Sequence, residues 1–340
     1  MNKKRWAAVL IAAGLFVVSL VSASLTKPQE NNQVEGLNSW LYGDEELVPN
    51  VLEEGDSTQK IVKLTVDGTI AAGGSSGLFA SEGYNHENFM EQLKAVEEDP
   101  TVKGIFLEVN SPGGGVYESA EIAKKLDTIR KEHDIPMYVS MKNMAASGGY
   151  YISAQADKIF ATEETVTGSI GVIMSGLNYS GLLEKLGVED TTVKSGALKD
   201  MGSGTRPETK EEEAVLQAYI DSAYQRFVRI VSEGRNKSEE AVKKIADGRI
   251  YDGVQAKEVG LVDELGFPED ALQAMRKEQK LEDAELVEYS SASSGFASTW
   301  LGSKLAEFQG LKSSETSQIL SILENLGPAE SPKAMYYYGG

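Results

Sequence analysis

Between Ile61 and Thr162 the chain repeats one rhythm: a short apolar run, a stretch of helical spacing, then another apolar run. Residues 61–66 alternate as a strand does, and 104–109, 136–141 and 158–162 are three further strand candidates. Asn85 is placed to cap a helix running to about Glu98. Residues 119–132 carry Ile122, Leu126 and Ile129 on one helical stripe. Strands and helices alternating at these lengths imply parallel strands joined by helical crossovers, hence an α/β domain. Glycine, at 34 of 340 residues, suits the many tight turns such a domain needs. A long helix over 208–232 and a shorter one opened by Ser238 complete the pattern.

The N-terminal end has a different character. Lys3, Lys4 and Arg5 precede residues 6–23, which hold no charge over eighteen positions. That length nearly spans the hydrocarbon core of a bilayer, and the basic flank is expected to stay cytoplasmic. Residues 1–27 therefore read as a flank and single transmembrane anchor, with the rest of the chain outside the cytoplasm. A cleaved signal peptide is the alternative, because Val21, Ser22 and Ala23 form a small-residue cleavage pattern. Residues 28–59, with eight acidic residues and no basic one, read as an acidic spacer. The catalytic domain is expected over 60–289, followed by a C-terminal extension and tail over 290–340.

Charge and composition narrow the function. A formal charge of −19 argues against nucleic acid as a partner, since a phosphate backbone would be repelled. The absence of cysteine removes disulfides, thiol catalysis and thiolate zinc sites. Only two histidines, His86 and His133, are present, and both fall at helix ends where a solvated basic or polar residue needs no further explanation. A hydrolase built on this chain has few bases to choose from, and serine activated by lysine is one solution.

Three segments could carry that chemistry. Ser147 lies among Ala145, Ala146, Gly148 and Gly149, where a strand gives way to a helix. It is either a helix cap or an exposed nucleophile beside free N–H groups. Gly113, Gly114 and Gly115 follow an apolar strand, and are either a plain turn or a source of oxyanion donors at the ligand-binding edge of a parallel sheet. Lys199 is flanked by Gly196, Ala197, Met201 and Gly202, less polar surroundings than most surface lysines have. A lysine acting as base must be neutral.

Read together, these segments resemble a known family. Ser111-Pro112-Gly113-Gly114-Gly115, Ala145-Ala146-Ser147-Gly148-Gly149-Tyr150-Tyr151, Thr167-Gly168-Ser169-Ile170-Gly171-Val172 and Gly248-Arg249-Ile250-Tyr251-Asp252-Gly253 occur in that order, with Gly260-Leu261-Val262-Asp263 beyond. The set, over roughly residues 60–285, is similar to the signal peptide peptidase A family of membrane-bound serine–lysine proteases. The resemblance implies a Clp protease/crotonase-like spiral of parallel strands with helical crossovers. It implies Ser147 as nucleophile, Lys199 as general base, the Gly114 N–H in the oxyanion hole, and the Ser169 hydroxyl orienting Lys199. No metal or organic cofactor is implied. The implied substrates are apolar peptides, chiefly signal peptides left in the membrane after secretion. Longer family members carry two domain copies and draw the two catalytic residues from different copies. A single-copy chain would then complete its dyad between protomers of a homo-oligomeric ring. A crotonase-like acyl-CoA enzyme and a non-catalytic membrane scaffold are the alternatives from other classes.

The tail lies outside the resemblance. Ala334, Met335, Tyr336, Tyr337 and Tyr338 form an apolar, aromatic end with no evident core to join. It either docks on the protein's own surface or a neighbouring protomer, or it mimics substrate by adding a strand in a peptide-binding groove.

Overall fold

The computed structural model describes residues 47–72, 83–291 and 334–339. Apart from Ser291, these belong to one compact unit. Its N-terminal part runs β1 (Leu47–Glu53), β2 (Asp56–Asp67), α1 (His86–Glu98), β3 (Val102–Ser111), β4 (Gly113–Gly115), α2 (Val116–Glu132), β5 (Met137–Ala146), α3 (Gly148–Ser153), β6 (Lys158–Ala161) and β7 (Val166–Gly168). It continues through α4 (Ser180–Leu186), α5 (Lys210–Gly234), α6 (Glu239–Lys243), β8 (Ile250–Tyr251), α7 (Gly253–Glu258), β9 (Glu264–Leu265), α8 (Pro268–Gln279) and β10 (Ala284–Ser291) to β11 (Met335–Tyr337).

The main sheet has the order β1-β10-β2-β3-β5-β6-β9, and β10–β2, β2–β3, β3–β5, β5–β6 and β6–β9 are all parallel. Parallel strands covered on both faces need apolar residues pointing both ways. Ile61, Phe106, Tyr138 and Phe160 turn to one side and meet Ala271 and Met275 of α8. Val62, Leu64, Ile105, Leu107 and Val139 turn to the other, where Leu93, Ile122, Leu126 and Ile129 of α1 and α2 close the larger core.

Local signals set the helix starts. The Asn85 side chain accepts from the Asn88 N–H (2.9 Å) and opens α1. Side-chain caps recur further on: Ser238 accepts from the Ala241 N–H to open α6, and Thr209 forms a capping box with Glu212 at α5.

Three features depart from the sequence reading. β1 and the start of β2 take residues 47–59, read as spacer, into the sheet. β5 runs past the expected 136–141 to Ala146, and α3 begins at Gly148, so that strand gives way to helix at Ser147 as read. The tail does find a core, because Tyr336 is fully buried. The proposed anchor, residues 28–46 of the spacer and most of the C-terminal extension lie outside the described residues. Among the described residues no helix is long and apolar enough to cross a membrane.

His86 also departs from expectation. It is buried rather than solvated, with Nδ1 2.6 Å from the Tyr84 hydroxyl and Nε2 2.8 Å from Glu121 Oε2. The ring ties the start of α1 to α2, a tertiary contact invisible to local pattern. His133 follows α2 as its exposed C-cap, as read. We expect His86→Ala to retain peptide hydrolysis within about twofold while losing about 1–3 kcal/mol of stability, because two polar partners are orphaned. Denaturant unfolding beside a peptide assay checks this, and loss of hydrolysis in a folded His86→Ala protein would make the ring part of the chemistry.

Candidate active site

Three neighbouring strands deliver the site. β5 lies between β3 and β7 at its C-terminal end, with Ala145 opposite Ser111 on one side and Thr167 on the other. The chain leaves β3 into the glycine turn, leaves β5 into Ser147, and leaves β7 into Ser169. Parallel strands place all three exits at one sheet edge, where such sheets bind ligands.

Ser147 holds the N-cap position of α3 without capping it through its side chain. Its φ of 53° with ψ of −115° is a strained conformation for a residue with a side chain. The strain is held by bonds on both sides. The Ser147 N–H donates to the Gly168 carbonyl (2.8 Å), and the Ser147 carbonyl accepts from the Tyr151 N–H (2.8 Å). Below it, Tyr150 is fully buried and donates to the Leu261 carbonyl (2.9 Å). A sharp, supported strand-to-helix turn is a recurring way to present a serine nucleophile.

The glycine turn stands beside it. The Gly113 N–H donates to Ser111 Oγ (3.1 Å). The Gly113 carbonyl accepts from the Ile70 N–H (2.8 Å), and the Gly115 N–H donates to the Ile70 carbonyl (2.8 Å). Backbone groups alternate in direction along a strand, so the Gly114 N–H faces the opposite side, away from Ile70. Side chains are excluded here: a Cβ on Gly114 would overlap the Ile70 carbonyl, and Gly113 has a φ of 98°. A Cβ on Gly113 would also come within 2.5 Å of the Gly148 nitrogen. The turn and the start of α3 are thus in close contact, and their N–H groups can serve one oxygen.

The free side of Gly114 is occupied by the tail. β11 pairs antiparallel with β4, setting Met335 against Gly115, Tyr336 against Gly114 and Tyr337 against Gly113. On its other edge Met335 exchanges two backbone bonds with Ile173 (2.9 and 3.1 Å), and the Tyr338 N–H donates to the Pro112 carbonyl (2.8 Å). The Tyr336 ring stacks on Tyr151 at 4.8 Å and lies 4.8 Å from Phe227 of α5. Its hydroxyl donates to the Ala223 carbonyl (3.0 Å), and burial pushes the phenol pKa up. The Tyr336 carbonyl oxygen crowds the same space beside Gly113 that the Gly148 nitrogen borders.

Ser169 is buried, with φ of 49°, and its N–H donates to the Arg249 carbonyl (2.8 Å). Lys199 is elsewhere. It is exposed in a turn where its N–H donates to the Gly196 carbonyl (3.1 Å), and its ammonium makes no ion pair or hydrogen bond with any described residue. The structure therefore brings together Gly114, Ser147 and Ser169, and no bond joins Lys199 to them within this chain. The sequence reading missed Ile70, Tyr151 and Phe227. Ile70 contributes through its backbone, which leaves no side-chain signal. Tyr151 and Phe227 have the apolar character of ordinary core residues. Among the described residues no cluster of side chains could hold a metal ion.

The model of peptidase family S49 matches residues 129–282, and that of Clp protease matches residues 80–167. The chain is 58% identical over 344 residues, the full length of both, to a protein of Enterococcus faecium named as a signal peptide peptidase SppA. It is 44% identical over 213 residues to a protein of Methanocaldococcus jannaschii named as a protease, covering 63% of this chain and 68% of the other. Protease 4 of Haemophilus influenzae is 35% identical over 72% of this chain and 39% of its own length. Among solved structures, a mutant ClpP1 from Listeria monocytogenes aligns with a TM-score of 0.40 and 20% identity, over 63% of this chain and 95% of that one.

Proposed function

The chain belongs to the signal peptide peptidase A family of S49 serine peptidases, and on that footing we propose that it cleaves apolar peptides, chiefly remnant signal peptides, with a Ser147–Lys199 dyad completed between protomers. The observation that carries this reading is the antiparallel strand seated on Gly113–Gly115 beside the strained Ser147. A groove that takes one extended apolar segment by backbone pairing can take others.

In the proposed reaction, neutral Lys199 of a neighbouring copy takes the Ser147 proton as Oγ attacks the scissile carbonyl. The Gly114 N–H, with that of Gly148, holds the oxyanion. Protonated Lys199 then gives its proton to the leaving amine, and the C–N bond breaks to leave an acyl-enzyme. The same lysine activates the water that hydrolyses it. Ser169 orients the lysine from beside Ser147. An exposed Lys199 whose side chain bonds to none of the described residues supports sharing between copies. We place the domain outside the cytoplasm on an N-terminal single-pass anchor, within the crotonase-like form of the fold. The tail occupies its own groove as a substrate mimic.

A serine-directed phosphonate tests the nucleophile. Mass spectrometry is expected to find the adduct on Ser147 of the full chain and none on Ser147→Ala. Label on another serine, with hydrolysis lost in step, would overturn the assignment.

A further inference from the structure

No residue from 171 to 211 is buried, and Val193, close to Lys199 in the chain, is 97% exposed. Apolar packing cannot fix a side chain in such a segment. Polar bonds do. Asp200, the next residue after Lys199, accepts from Arg206 Nε at Oδ2 (2.8 Å) and from Arg206 Nη2 at Oδ1 (2.6 Å). Lys194 Nζ also donates to Oδ1 (2.6 Å). The same guanidinium reaches Glu212, with Nη1 donating to Oε2 (2.9 Å) and Nη2 to Oε1. Glu212 is buried and is the capping-box residue of α5, where it also accepts from the Thr209 N–H (2.8 Å). Arg206 therefore links the turn of Lys199 to the rigid start of a 25-residue helix.

We infer that Arg206 is a positioning residue for Lys199: it fixes the base-bearing turn to α5 through Asp200 and Glu212, and it keeps the Asp200 carboxylate paired so that it does not hold the lysine as an ammonium ion. This rests on Lys199 being the base. A bidentate guanidinium suits the task because its fork fixes direction as well as charge. Hydrogen bonds from Arg206 and Lys194 hold the Asp200 carboxyl well below the usual range, and those from Arg206 and the Thr209 amide bring Glu212 down to about 2. Both carboxylates are thus ionised wherever a lysine could act as a base. The remaining charged group in this network is Asp190, whose Oδ2 accepts from the Thr205 hydroxyl and whose Oδ1 accepts from the Thr192 N–H (2.9 Å).

The test compares Arg206→Met with Arg206→Lys in the full-length protein. Arg206→Met is expected to lower kcat about tenfold to hundredfold with KM nearly unchanged, since a displaced base costs rate rather than binding. Its activity should also need a higher pH, because Asp200, left with Lys194 as its one cationic partner, favours the charged lysine more. Adding Asp200→Asn should reverse that pH shift, and Arg206→Lys should recover part of kcat. Mixing locates the effect. With Arg206→Met placed on the Ser147→Ala chain, which supplies only the lysine, activity with a Lys199→Ala partner should fall. Placed on the Lys199→Ala chain instead, it should leave the mixture as active as its parent. An unchanged pH profile, or equal loss in both mixtures, would overturn the inference. If the parent mixture is itself inactive, shared catalysis fails, and the pH profiles of the single and double variants still decide the role of Arg206.

Discussion

Ser147→Ala and Lys199→Ala are each expected to lower peptide hydrolysis by about four orders of magnitude, while a mixture of the two inactive proteins regains activity under conditions that exchange subunits. The size follows from removing a nucleophile or its base, residues that act as a unit. The recovery follows from the proposed sharing of the dyad between copies. Ser147 lies at the edge of the sheet beside Gly114 and Ser169, whereas Lys199 is exposed on a segment that no bond ties to Ser147. A mixed assembly can pair an intact serine from one chain with an intact lysine from the other. Wild-type activity should rise with pH, because only a neutral lysine accepts the proton. Sedimentation measured alongside the assay decides the matter: full activity in a monomer, or a silent mixture that demonstrably exchanges, would rule out the shared dyad.

Removing residues 328–340 should lower the apparent KM for a short peptide by about tenfold, since a tethered competitor acts at an effective concentration in the millimolar range. Tyr336→Ala should reproduce much of that gain. The Tyr336 ring is fully buried between Tyr151 and Phe227, and replacing a buried aromatic by alanine costs roughly 3–5 kcal/mol. The geometry also names a bond. Tyr336 stands opposite Gly114, and its carbonyl oxygen and the Gly148 nitrogen border the same space beside Gly113, so on the proposed mechanism Tyr336–Tyr337 is the bond expected to be cut. Stored wild-type protein should lose the residues after Tyr336, and Ser147→Ala should keep them. Intact mass and peptide kinetics read both effects. An uncut wild-type tail together with unchanged kinetics in the truncation would leave the tail as a docked end with no part in the reaction.

Much of this molecule was legible from one dimension. Alternating and apolar runs of strand length made 61–66, 104–109 and 136–141 visible, and all but Pro136 lie inside observed strands, which extend further, back to Asp56 in β2 and on to Ala146 in β5. Helix caps are local, so Asn85 and Ser238 announced their helices. Glycine turns are local too, so the 113–115 turn and the Ser147 segment stood out as candidates, and the family resemblance supplied the expected roles of Gly114 and Ser147. What escaped was set by contacts between distant segments. His86 looked like a solvated helix end, and only the approach of α2 makes it a buried bridge to Glu121. Ile70 holds the glycine turn through its backbone, which no side chain records. Tyr336 looked like a stray aromatic because its pocket is assembled from Tyr151 and Phe227, more than 100 residues upstream. Residue type and local pattern determined which chemistry this chain can carry. The tertiary structure alone decided which groups meet, because burial and hydrogen bonding are settled by neighbours in space.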